Sequence, residues 1–83
     1  MKVSVKYFAS IREAIGTGHE SMDTTAATLG ALRDELIALG GAYSESLARG
    51  KAVRLALNQV MANESTALTE GAEVAFFPPV TGG

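Results

Sequence analysis

No cysteine occurs among the 83 residues, which removes disulfides, thiolate metal ligands and a thiol nucleophile together. The single histidine, His19, has no neighbouring Glu–His spacing, so neither a metal site nor a serine triad has much to build on, and no metal is expected. Positive charge is scarce: seven Lys and Arg stand against nine Asp and Glu, a net charge of −2 and a pI near 5.2. With no basic cluster to release counterions, a nucleic-acid partner is not expected. Long apolar runs are also missing, and Met1 to Lys6 alternates polar residues with valine and has no continuous apolar stretch. No membrane association is expected, and the expected location is cytoplasmic.

The residues that are present describe an ordinary folding domain, 47% hydrophobic and 19% charged. Residues 1–83 read as one domain without repeats, linkers or low-complexity segments. A chain this short buries only about 60–65% of the surface its unfolded form exposes. That leaves little room for a deep pocket, so the chain is not expected to be catalytic alone.

Periodicity orders the elements. In Lys2 to Phe8 the alternation puts Val3, Val5 and Tyr7 on one face of a strand and sends Phe8 to the wet side. Ser10-Ile11-Arg12-Glu13 has the pattern of a capping box opening a short helix, with Ile11, Ala14 and Ile15 inward and Gly16 as its stop. Gly16-Thr17-Gly18 is a turn, lacking the further glycine or Gly-Lys-Ser/Thr that a phosphate loop needs. His19 to Thr24 reads as a polar edge strand.

Thr28 is positioned to cap the main helix, Leu29 to Leu39, whose Leu29, Leu32, Leu36 and Leu39 form an apolar stripe while Arg33, Asp34 and Glu35 take the rest of the circumference. Gly40-Gly41 stops it, and Gly30 inside it has no explanation in the sequence. A helical turn anchored by Leu47 follows. A strand over Arg54 to Asn58 then buries Leu55 and Leu57, and a turn leads to a short strand carrying Val60 and Met61. Thr69 to Ala72 is the last turn. The expected class is α+β, a sheet with one main helix packed on one face.

The end of the chain is the most informative stretch. Val74 to Phe77 is β-branched and aromatic, Pro78-Pro79 blocks its continuation, and Val80-Thr81-Gly82-Gly83 follows as a bare extension. Glycines without Cβ enter a slot too narrow for other residues, which suits a terminus whose carboxylate is the reactive group. An α-carboxylate is ionised at neutral pH and a poor electrophile, so a partner must first activate it, most simply as an acyl-adenylate made from ATP. In the preceding strand Val74 and Phe76 share one face, and Glu73, Ala75 and Phe77 the other. Phe77 is expected to be exposed and to join Phe8 and Met61 in one outward apolar patch beside the tail, the usual mark of a protein interface.

The ending Glu70 to Gly83, with Phe8-Ala9, Arg12-Glu13, the helix start at Thr28 and Ala31-Leu32-Arg33, and Asn58-Gln59, resembles the small-subunit family of molybdopterin synthase. The resemblance covers essentially the whole chain. It implies a ubiquitin-like β-grasp with a mixed sheet and a flexible Gly-Gly tail. It further implies a sulfur carrier: an activating enzyme adenylates Gly83 with ATP, a cysteine desulfurase system supplies sulfur, and Gly83 becomes a thiocarboxylate. Pro78, Pro79, Val80, Thr81, Gly82 and Gly83 then enter the active site of the large subunit, which passes sulfur to cyclic pyranopterin monophosphate. The implied synthase has two small and two large subunits, Phe8, Met61 and Phe77 contact the partners, and the chain itself binds no cofactor. Met61 stands where the family has leucine, a nearly volume-conserving change.

Two other readings stay open. A thiamine-pathway sulfur carrier shares the fold and tail chemistry but carries Asn-Gly-Glu where this chain has Asn58-Gln59-Val60. A ubiquitin-like modifier would instead end with Gly83 in an isopeptide bond to a lysine of a target.

Overall fold

The computed structural model describes residues 1–79. Val80, Thr81, Gly82 and Gly83 lie outside the described residues. In chain order the elements are β1 (Lys2–Tyr7), α1 (Ala9–Ile15), β2 (His19–Asp23), α2 (Leu29–Ala38), α3 (Gly41–Leu47), β3 (Arg54–Leu57), β4 (Val60–Ala62) and β5 (Glu73–Phe77). The strands form one five-stranded sheet in the order β2-β1-β5-β3-β4. Its central pair, β1 and β5, is parallel and every other pair is antiparallel. This is the mixed sheet of the ubiquitin-like β-grasp, and it brings the first and last strands side by side.

The strand pattern has a direct physical consequence. Val5 opposes Val74, Tyr7 opposes Phe76, and Phe76 in turn opposes Leu55. All of these lie on the inner face, where Leu29, Leu32 and Leu36 of α2 and Leu47 of α3 complete the core. Thr28 caps α2 as expected, its hydroxyl accepting from the Ala31 amide at 3.2 Å. Gly16 closes α1 at φ 92°, a left-handed conformation that costs glycine nothing. The β3–β4 turn places Asn58 and Gln59 at φ 50° and 69°, and β2 forms an edge of the sheet.

Five details before β5 differ from the sequence reading. Ser10 does not cap α1: the N-cap is Phe8, which makes no side-chain cap bond. The helix begins one residue before Ser10, because the Phe8 carbonyl already accepts from Ile11 and Arg12 as the chain leaves β1. Ala14 is exposed, and only Ile11 and Ile15 turn inward. Leu39 is 63% exposed, since α2 ends at Ala38 and Leu39 is its C-cap, beyond the stripe that ends at the buried Leu36. In β3, which lies between β5 and β4, Ala56 is buried together with Leu55 while Leu57 is half-buried.

The fifth difference is the largest. Arg33, placed by periodicity on the polar side of α2, is 3% exposed. Its guanidinium donates to the carbonyls of Leu47 (2.8 Å), Ala48 (2.7 Å) and Lys51 (3.1 Å) and to Glu64 (2.8 Å). Burial, and then the nearby Arg49, lower its pKa from the ordinary guanidinium value, but an arginine remains charged under all ordinary conditions. The side chain thereby ties α2 to the end of α3, to the loop that enters β3 and to the segment after β4.

The same neighbourhood accounts for Gly30. Its amide donates to the Glu64 carbonyl at 2.9 Å, and a Cβ at this position would meet Glu64 Cβ at 3.0 Å and Glu64 O at 3.1 Å. Alanine normally gains about 1 kcal/mol over glycine inside a helix. Here that gain is opposed by a shift of the backbone that holds Glu64 on Arg33. Gly30→Ala is therefore expected to lower stability by about 1 kcal/mol net, in the range of small overpacking costs. A urea melt showing a more stable variant would mean that the Glu64 segment yields freely.

Candidate functional site

The outer face of the sheet is set by strand register. Lys6, Ala75, Ala56 and Met61 oppose one another in a row from β1 through β5 and β3 to β4, and Phe77 opposes Arg54 in the adjacent row. Ala75 and Ala56 are buried although they face outward, because taller side chains stand around these short ones. They form a low floor. Met61 rises beside it at 56% exposed. At the other end of the row, Lys6 forms an ion pair with Glu73 at 3.4 Å, which makes that part of the face polar.

Phe8 and Phe77 meet at the root of the tail. The Phe8 amide donates to the Phe76 carbonyl at 3.2 Å, which fixes Phe8 alongside the last strand just as β1 turns into α1. The two rings then lie 5.3 Å apart at 46°, within the range of favourable aromatic pairs. Phe8 is 42% exposed. Phe77, expected to be exposed, is half-buried, and its packing against Phe8 is the reason. The three residues thus share one face, with Phe8 and Phe77 touching and Met61 set apart across β3.

Beneath this pair the inner layer is rigid. The Tyr7 ring stacks on Phe76 with centroids 6.2 Å apart and meets Tyr43 edge-on at 6.3 Å. Both hydroxyls donate to the same Glu20 oxygen, at 2.8 and 2.7 Å. Burial, followed by the hydrogen bond and charge of Glu20, raises the Tyr7 pKa far above that of an ordinary phenol, and the Glu20 hydrogen bond does the same for Tyr43 to a lesser degree. Both phenols stay protonated, so the network holds β2 and α3 in place and takes no part in proton transfer at neutral pH.

Beyond Phe77 the chain passes Pro78, half-buried, and Pro79, exposed. These prolines form one wall of an open groove of about 500 Å³, whose other walls include Ile11 and Ala14 of α1, Glu45 of α3, and Lys51 and Val53 on the way into β3. Sequence reasoning did not find this groove, because it is made by segments distant along the chain. The residues expected to carry the chemistry, Gly82 and Gly83, fall outside the described residues, as do Val80 and Thr81 of the predicted tail.

Asp34, Glu35, Glu70 and Glu73, acidic residues that could suggest acid–base chemistry, have local structural partners. Asp34 pairs with Arg49, Glu35 accepts from the Thr24 hydroxyl, Glu70 accepts from the Lys2 amide, and Glu73 holds Lys6. His19 is exposed at the edge. Among the described residues no three His, Asp or Glu side chains converge as a metal site would require. No helix among them is long and apolar enough to cross a membrane.

Comparison with known proteins agrees with this architecture. Residues 5–83 match the model of the ThiS family. The molybdopterin synthase sulfur carrier subunit of Escherichia coli K12 is 40% identical over 81 residues, spanning 98% of this chain and 99% of that protein. The protein of the same name from Mycobacterium tuberculosis is 39% identical over 85 residues, spanning 100% and 99%. Among solved structures, one from Helicobacter pylori, a complex of subunits 1 and 2 of molybdopterin-converting factor, superposes with a TM-score of 0.70 at 27% identity over the full length of both chains. Small archaeal modifier protein 1 of H. volcanii superposes with a TM-score of 0.76 at 25% identity, covering 95% of this chain and 98% of that one. The chain therefore belongs to the ThiS family, and the curated relatives it matches there across nearly its whole length are molybdopterin synthase sulfur carrier subunits.

Proposed function

We propose that this chain is the sulfur carrier subunit of a molybdopterin synthase. The observation that carries the proposal is the likeness, at 40% identity over 98% of the chain, to a protein of that name. The geometry at the end of β5 supports it: a rigid sheet presents Phe8, Phe77 and Met61 on one face, and a bare Gly-Gly extension follows from the same strand. A folded body that docks and a thin end that reaches is what delivery of a terminal acyl group into another protein's active site requires.

In this reading an activating enzyme uses ATP to adenylate Gly83, sulfur originating from a cysteine desulfurase system displaces AMP, and the resulting thiocarboxylate is the donor. Pro78 to Gly83 enter the large subunit, which transfers the sulfur to cyclic pyranopterin monophosphate. Two small and two large subunits make the synthase, which works in the cytoplasm. The carrier needs no cofactor of its own, since activation and sulfur transfer both take place on partners.

Intact mass spectrometry tests the cycle. Incubation with the cognate activating enzyme, ATP and a sulfur source is expected to replace one oxygen by sulfur at the C-terminus, and adding the large subunit with the pterin precursor is expected to reverse the change as molybdopterin appears. Phe77→Ala is expected to slow that second step about tenfold or more, the loss typical of an aromatic interface anchor. A thiocarboxylate that persists in the presence of precursor and large subunit would move the carrier to another pathway.

The likeness to small archaeal modifier protein 1 favours one further reading, in which Gly83 is conjugated to lysines of target proteins. Covalent adducts lost on Gly83 deletion, with no sulfur gain at the terminus, would favour it.

A further inference from the structure

Positive charge is unevenly committed in this protein. Lys6, Arg33 and Arg49 are all engaged in ion pairs, whereas Lys2, Arg12, Lys51 and Arg54 have no acidic partner among the described residues, and of these four Lys51 and Arg54 lie close together in the chain. These two stand three positions apart on the segment entering β3, and both are exposed. Arg54 opposes Phe77 across the β3–β5 ladder, and Lys51 lines the groove walled by Pro78 and Pro79. Two uncommitted cations thus flank the place where the chain leaves the fold, in a molecule of net charge −2.

The backbone that presents them is held firmly. The Lys51 carbonyl accepts from the buried Arg33 guanidinium at 3.1 Å and from the Val53 amide at 2.9 Å, and the Lys51 amide donates to Ala48 at 2.9 Å. Arg54 is fixed by its pairing with Phe77. Cations on a fixed backbone beside an apolar groove are placed to orient a partner, because electrostatic complementarity sets register and encounter rate more than bulk affinity. Glu45, on the α3 wall of the same groove, repels a carboxylate there and so confines one to the Lys51 side.

We propose that Lys51 and Arg54 form a cationic clamp for a carboxylate-bearing segment of the protein that takes up the tail, with an apolar side chain of that segment seated in the groove over Ile11, Ala14 and Val53. The proposal rests on the sulfur-carrier reading, under which the large subunit receives the tail. The clamp fixes the rotation of the carrier about the line of the tail, which the Phe8–Phe77 contact alone leaves free. It is a positioning device and touches no reacting atom.

The test is binding of the full-length chain to its cognate large subunit, measured at low and high salt. The variants are the doubles K51Q/R54Q and K51E/R54E, with E45Q as the opposite control. Wild-type affinity is expected to fall with salt, the glutamine pair to flatten that dependence, and the glutamate pair to weaken low-salt binding about tenfold or more, with the loss mainly in the association rate. E45Q is expected to bind no more weakly than wild type. Both cations are exposed, so thermal melts of the variants should match wild type. Unchanged affinity and salt slope in both doubles, with wild type binding normally, overturn the clamp alone. A wild-type chain that does not bind the large subunit overturns the sulfur-carrier reading and the clamp with it.

Discussion

Deletion of Gly83 is expected to reduce sulfur transfer to background while leaving the fold intact. Among the described residues the core runs from Val3 to Phe76, and neither Pro78 nor Pro79 belongs to it. Glycine has no side chain to pack, so stability is expected to change by no more than about 0.5 kcal/mol, as for other changes away from packed features. The chemistry responds differently. The acyl carbon to be activated would move back by one residue, about 3.3–3.6 Å of extended chain, and a misplacement of about 1 Å already costs on the order of a hundredfold in a positioned reaction. Adding one alanine after Gly83 displaces the carboxylate by the same distance in the other direction and should be equally damaging. Sulfur transfer and a thermal melt on both variants separate the alternatives. Retained transfer after deletion would remove Gly83 from the mechanism, and a large fall in Tm would show that the tail contributes to the fold.

Arg33→Ala is expected to destabilise the fold strongly. The guanidinium satisfies three backbone carbonyls and one oxygen of Glu64 from a position that is 3% exposed. Glu64 is itself 39% exposed, so its share of the ion pair is screened and contributes little. The cost comes chiefly from the carbonyls of Leu47, Ala48 and Lys51, which lose a charged donor in a site that water enters poorly. About 3 kcal/mol is the expected loss, at the lower end for breaking a buried ionic cluster. For a domain of this size that is a fall in Tm of roughly 12 °C or more. Arg33→Lys should rescue little, because one ammonium cannot reproduce a planar fork that reaches several acceptors at once. A urea melt giving a loss below about 1 kcal/mol would mean that water replaces the guanidinium at low cost.

These two substitutions mark what the sequence disclosed and what it hid. The strand faces of β1 and β5 were legible because period-two alternation of Val3, Val5 and Tyr7, and of Val74 and Phe76, depends on local geometry alone. The Thr28 cap, the Gly16 stop and the polar edge strand β2 were legible for the same reason. The terminal Pro-Pro-Val-Thr-Gly-Gly stood out because its composition is unsuited to packing and well suited to a narrow slot. Phe8, assigned outward from alternation, and Met61, expected beside it in the outward patch, are both exposed.

Arg33 was misread because a helical wheel knows only its own helix. One charged position on α2 faces carbonyls contributed by residues 14 to 18 positions later, and no periodicity encodes that meeting. Ser10 failed as a cap because the parallel pairing of β1 with β5 fixes where β1 ends, and the helix starts from Phe8. Phe77 is half-buried because a neighbour 69 positions away in the sequence, Phe8, lies against it. Gly30 acquired its explanation from Glu64, again on another segment.

The sequence by itself determined the class of fold and the inner faces of its principal strands, and it singled out the end of the chain as the place to propose chemistry, since each rests on side-chain pattern or on residue chemistry within a few positions. Only the tertiary structure decided which of those residues meet. It placed Phe77 against Phe8, locked Arg33 onto three carbonyls, and set Lys51 in the groove walled by Pro78 and Pro79, with Arg54 opposite Phe77. Pairing the first strand with the last is a long-range event whose partners are chosen by burial and hydrogen bonding across the whole chain, and that pairing sets the surface on which the tail begins.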